Sequence, residues 1–149
     1  MTTREQWAPE EGSAIVEFLG VAVLLLVPVV YLVLVLGQLQ AATFAVEGAA
    51  RHAARAIVVA EDEATGRGHA EAAVALALRD QGLPAAPPGD ALTVVCGEPC
   101  LEPGGSVTVT VAVDVILPGV PAWLDGAVPL HVPVSATHTA AVDSFVAAR

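Results

Sequence analysis

The chain contains no lysine, and all six of its basic side chains are arginines. Sixteen acidic residues stand against them, giving a formal net charge of −10. That balance argues against nucleic-acid binding, where basic side chains must neutralise phosphates. It also leaves no polybasic patch for an anionic lipid surface. Cysteine is scarce too, with only Cys96 and Cys100. Charge itself is missing along one stretch, since no charged side chain occurs between Glu17 and Glu47.

Catalytic chemistry is equally thin. Ser13, Ser106, Ser135 and Ser144 sit in no recognisable nucleophile motif, and no glycine-rich phosphate loop precedes a helix. Four histidines, His52, His69, His131 and His138, are scattered along the chain. The sequence therefore points away from an enzyme and implies no cofactor. No internal repeat is visible.

What is present begins with an apolar run. Residues 18–36, FLGVAVLLLVPVVYLVLVL, carry no charge. As a helix, residues 14–36 extend roughly 34 Å, enough to cross a hydrocarbon core. A buried core helix of a small soluble protein is rarely apolar all round for that length. The nearest rival is a cleavable signal peptide cut near Ala41 and Ala42, but its apolar region is usually shorter and its leading end basic. Here the first 12 residues, MTTREQWAPEEG, hold one arginine and three glutamates. Pro28 removes a backbone donor in mid-span and predicts a kink or local loosening. Gly20 has no small partner four positions on (Leu24), so it reads as an ordinary membrane-helix glycine. The positive-inside rule sets Arg4 against Arg51 and Arg55 and, taken literally, favours the wrong end for an exported domain. A short leader and a long following domain weaken that rule.

Beyond the span the helical pattern continues through AATFAVEGAARHAARAIVVA. Phe44, Ala45, Gly48, Arg51, His52 and Arg55 fall on one broad side. Val46, Ala49, Ala50, Ala53, Ala56 and Ile57 form a small-residue stripe on the other, which suits either a partner helix or, as the default, this chain's own later domain. The polar EDEATGRG at 61–68 is expected to break the helix. A second, short helix is expected over 69–82, ended by Gly82 and Pro84, and LPAAPPGD reads as a proline-rich turn or linker. The period then changes to two. Val107, Val109, Val111, Val113 and Val115 alternate with Thr108, Thr110, Ala112 and Asp114, a half-buried strand. Residues 92–95 are a shorter partner strand. A last strand is expected over 128–141, where Pro129 and Pro133 place it at a sheet edge or on a bulge. Trp123, in the connection before it, is expected to cover an end of the core. The fold class is α+β: a long transmembrane helix continuing into an extracytoplasmic helix, then a short helix and a small antiparallel sheet.

The cysteines admit three readings. Gly97 and Pro99 make a tight loop that brings the sulfurs together as a disulfide, provided the domain lies outside the cytoplasm. The chain-entropy model gives about 2 kcal/mol for so small a ring. In a reducing compartment they are free thiols. A metal site with the histidines is the weakest reading, because Cys-x3-Cys is half a zinc site and His131 and His138 fall on opposite strand faces.

Gly12-Ser13-Ala14-Ile15-Val16-Glu17-Phe18, followed at once by the span, resembles the processing motif of type IV pilins. The mid-span proline, the GAARHAARA helix and the Val-Thr strand resemble the TadE-like minor pilins and pseudopilins of tight-adherence pili more than major pilins. The resemblance implies a leader over 1–12, removed by a prepilin peptidase between Gly12 and Ser13. It implies a transmembrane helix and its continuation over 13–60, and an extracytoplasmic α+β domain over 61–149. Glu17 becomes the fifth mature residue, a position that in the family pairs with a neighbouring subunit's amine during assembly. The partners implied are prepilin peptidase, other pilin subunits and membrane components of the assembly machine. The location implied is the cell membrane as a single pass, with entry into the pilus as a further step. Two features differ from the family pattern: Glu10 and Glu11 precede the cut where leaders are usually basic, and a serine takes the first mature position. The alternative is an uncut, single-pass anchored binding module.

Overall fold

A computed structural model of the chain describes residues 13–83, 87–98, 100–119 and 130–144. The expected roles of Gly12, Trp123, Val128 and Pro129 fall outside those residues. Two compact units divide at Val35 and Leu36.

The first unit is the opening half of helix α1 (Ser13–Val58), which runs through Pro28 as helix. Its large apolar side chains are exposed on every side, Leu24 and Leu25 as much as Val29 and Leu32. The helix is long and apolar enough to cross a membrane, and none of its most apolar window is buried within the protein.

The second unit is α+β. From Leu36 onward α1 acquires a buried stripe: Ala42, Val46, Ala49, Ala50, Ala53 and Ile57 lose essentially all contact with solvent. That spacing is one helical face. It shares a single core with Val107, Val109, Val111 and Val115 of the central strand. Alanine keeps the helix surface shallow, and valine fills the space from the sheet side. Each fully buried Val or Leu contributes about 1.5–3 kcal/mol of transfer free energy. The stripe is broader than the sequence pattern suggests: Ala45, read on the polar side, is buried, whereas Ala56 is only half-buried.

The second helix, α2 (Glu63–Asp80), starts six residues before the expected position and takes in Gly66 and Gly68. The reason is a cap outside the periodic region. Asp62 Oδ1 accepts the Thr65 backbone N–H at 2.9 Å, and the Thr65 hydroxyl donates to Asp62 Oδ2 at 2.8 Å. Such a cap satisfies an otherwise orphaned N–H. The backbone bond first, then the hydroxyl bond, holds the Asp62 carboxyl below its usual value of 3.8. The cap is therefore complete at neutral pH and is lost only as pH falls through that lowered value. Gly66 is needed for contact, since a Cβ there would stand 3.0 Å from Ala60 Cβ and 3.1 Å from Ile57 Cα. The helix ends as expected around Gly82. Its positive φ of 65° lets Leu83 N–H donate to Leu78 O and its own N–H to Arg79 O, a left-handed helix stop. Ala70, Val74 and Leu78 complete α2's buried face.

The proline-rich linker is not wholly irregular: Pro88–Ala91 makes one helical turn, α3, after Pro87. Among the described residues three antiparallel strands follow in the order β1 (Leu92–Cys96), β2 (Ser106–Ile116), β3 (His131–Ala141). The register pairs Val94 with Val109 and Val111 with Ala136. With period-two side chains this register puts the β2 valines on the core face and the threonines on the other. There Thr108 meets Thr139 and Thr110 meets Thr137, each hydroxyl pair 2.9 Å apart. Pro133 stands on edge strand β3 opposite Asp114, where a missing ladder donor costs least. Gln38 Nε2 donates to Ile116 O at 3.1 Å, tying the foot of this stretch of α1 to the end of β2.

The two α2 glycines predict opposite outcomes for the same substitution. Gly68 has nothing within 4 Å of an added Cβ, so Gly68→Ala raises stability by up to about 1 kcal/mol through helix propensity. Gly66→Ala pushes against the Ile57 backbone and lowers stability by about 1–3 kcal/mol. Denaturant unfolding of the detergent-solubilised protein measures both; equal shifts of one sign would contradict the α1–α2 packing.

Candidate functional site

The residues singled out from sequence lie at separate places. Ser13 is the first residue of α1 and Glu17 follows one helical turn later, exposed. Residues four apart on a helix share a face, so Glu17 projects above the backbone of Ser13. Beyond it the helix has no charged side chain until Glu47. Glu17 lies just past the first turn of α1, which holds no acidic residue, so the partial positive charge of the helix N-terminus reaches it only weakly. Deeper in the same apolar run a carboxylate would face hydrocarbon alone.

Cys96 and Cys100 lie at disulfide distance, with Cα atoms 5.4 Å apart. Cys96 is not a loop residue: it ends β1, pairs with Val107 and packs against the core. Leu101 follows Cys100 with φ 56°, a left-handed conformation that costs a side-chain-bearing residue energy unless its surroundings hold it. Its side chain packs on the core, and the cross-link one residue earlier limits where the loop can go. No three His, Cys, Asp or Glu side chains converge as metal ligands among the described residues. His131 is exposed and His138 half-buried, consistent with opposite faces of β3.

Clefts flank the exposed ridge of α1 among the described residues. One, of about 640 Å³, lies between that ridge and the β3 end of the sheet, and Arg51, His52, Arg55 and His138 line it with Leu101 and Val142. The other, of about 680 Å³, lies between α1 and α2. His52, Arg55 and Val59 border both. The sequence placed Arg51, His52 and Arg55 on one helix side, but the clefts arise only where that side meets β3 and α2. Periodicity within one element carries no signal for them.

Replacing Cys96 and Cys100 together by serine is expected to lower the unfolding free energy by about 2 kcal/mol. Non-reducing and reducing denaturant unfolding of the parent should differ by the same amount. An unchanged parent under reduction would mean that the β1–β2 loop is ordered without the cross-link.

Comparison of the chain with protein-family models, with curated proteins and with solved structures finds no match.

Proposed function

We propose that the protein is a minor pilin-like structural subunit of a tight-adherence type IV pilus, acting in pilus assembly or adhesion. In this reading prepilin peptidase cuts between Gly12 and Ser13. α1 then anchors the chain by a single pass, with its C-terminal domain outside the cytoplasm. The observation that carries the reading is Glu17, exposed one turn from Ser13 at the mouth of a helix that then runs apolar on all sides. A new amine on Ser13 and the Glu17 carboxylate of a neighbour are complementary charges at one level of that helix. Van der Waals contact between apolar helices leaves their sliding register loosely defined. One charge pair in low dielectric fixes it.

The disulfide-distance cysteine pair supports placement outside a reducing compartment. A second reading, an uncut single-pass anchor displaying a binding domain, is favoured by the two clefts, which residues beyond Leu36 build without the leader.

Glu17→Ala separates the two readings. The variant is expected to remain in the membrane fraction, because it removes a charge from the helix. Its recovery with sheared pili or the isolated assembly complex should fall by roughly a hundredfold, as for loss of one partner from a desolvated ion pair. Recovery at the parent level would refute the Glu17 latch.

A further inference from the structure

Among the described residues β3 pairs on one side only, with β2. Which of its backbone groups face away from β2 follows from the two ends of that ladder. Leu117 N–H donates to Leu130 O, and Val142 N–H donates to Gly105 O, each at 2.9 Å. Backbone groups alternate sides along a strand, so the even-numbered residues of β3 turn theirs to β2 and the odd-numbered residues turn theirs away. Ser135, Thr137, Thr139 and Ala141 therefore present N–H and C=O outward, and all four are exposed.

Such an edge is normally blunted by charge, proline or a bulge. Pro133, which has no N–H, does this near one end of β3. From Ser135 to Ala141 the strand reads SATHTAA, with no charge, proline or glycine. It pairs with β2 residue for residue, without a bulge. The opposite edge is shorter, since β1 has five residues against eleven in β3.

We propose that β3 pairs antiparallel with β3 of a second copy of this chain, about a two-fold axis at His138, joining the two sheets edge to edge. The open stretch is its own complement. It is bounded by Pro133 on one side and by the end of the strand at Ala141 on the other. A two-fold at His138 uses all of it, setting Ser135 opposite Ala141 and Thr137 opposite Thr139 of the second copy. One patch then meets itself, as a closed dimer requires. On the outer face, Thr137 against Thr139 repeats the contacts that β2 and β3 already make, Thr108 with Thr139 and Thr110 with Thr137. On the other face the seam holds only Ala136, His138 and Ala140, with no bulky chain to keep the strands apart.

Charge agrees with the antiparallel sense. α1 runs beside β3 in the same direction: Glu47 shares a cleft with Ser135 and Ala136, and Arg55 shares one with Ala140 and Ala141. Reversing one copy brings Glu47 of each to the end where Arg55 of the other stands. Asp143, at that same end, is already engaged. Arg51 falls near the axis, one helical turn from Glu47 on its own helix. Every residue used lies beyond Leu36, so the edge is present whether or not the leader is cut, and its test is independent of the processing reading.

Cysteine cross-linking of the full-length protein in its native membrane, under mild oxidant, tests the register. Cys96 and Cys100 are paired with each other, so the parent supplies the background. His138→Cys meets itself across the axis with Cα atoms about 4.5 Å apart, a separation that a disulfide spans. The expected result is a disulfide-linked homodimer whose linked peptide carries residue 138 from both copies. Ser135→Cys stands roughly 20 Å from its own counterpart in this register and should give at least about tenfold less dimer. Adding Ala141→Cys to Ser135→Cys should restore it. A His138→Cys chain that stays monomeric, or that links to a different protein, would overturn the proposal. So would Ser135→Cys alone cross-linking as well as His138→Cys.

Discussion

A helix with no charge between Glu17 and Glu47 must be covered by something other than water, and the protein supplies that cover over only part of its length. Beyond Leu36 the cover is the β2 valines and the face of α2. Before it no described residue covers the helix, and its leucines and valines are exposed on every side. An apolar surface of that extent calls for lipid or other apolar helices.

The rest of the second unit follows from what α1 presents. Its buried stripe is mostly alanine, so the bulk must come from the opposing side, and the strand facing it is valine at alternate positions. The same shallowness reappears at Gly66, where α2 comes close enough to the Ile57 backbone to leave no room for a methyl group. Small residues on α1 thus set how close both the sheet and α2 come. The loops are held by local devices: the Asp62 cap, the Gly82 stop and the cysteine pair that ends β1.

Much of this was legible in the sequence, for identifiable reasons. Val107 to Val115 alternate because one face of β2 is buried, and Val46, Ala49, Ala50, Ala53 and Ile57 recur because one face of a helix is; Ala42, equally buried, is not in the pattern read from sequence, and Ala56, which is, stays half-buried. The start of α2 differs from the pattern because Gly66 and Gly68 look like breakers; their propensity cost is outweighed by a cap at Asp62 and a contact at Ile57. Ala45 was placed on the wrong side because alanine fits either face, and only the second helix decides which. The clefts had no linear signature. They depend on Phe44 and Leu76, thirty-two positions apart, bordering one groove. Glu17 was conspicuous for the opposite reason, as a lone charge where the pattern has none.

In the proposed function an apolar helix, a carboxylate at its mouth and a small domain belong to one processed, assembling subunit. That function requires a cut before Ser13, since only then does a free amine stand at the level of Glu17. The most direct measurement is the intact mass and N-terminal peptide of the protein extracted from its native membrane. A mature chain beginning at Ser13 is predicted. One beginning at Met1 or Thr2 would contradict the account and leave an anchored module, and one beginning near Thr43 would contradict it in favour of a secreted domain.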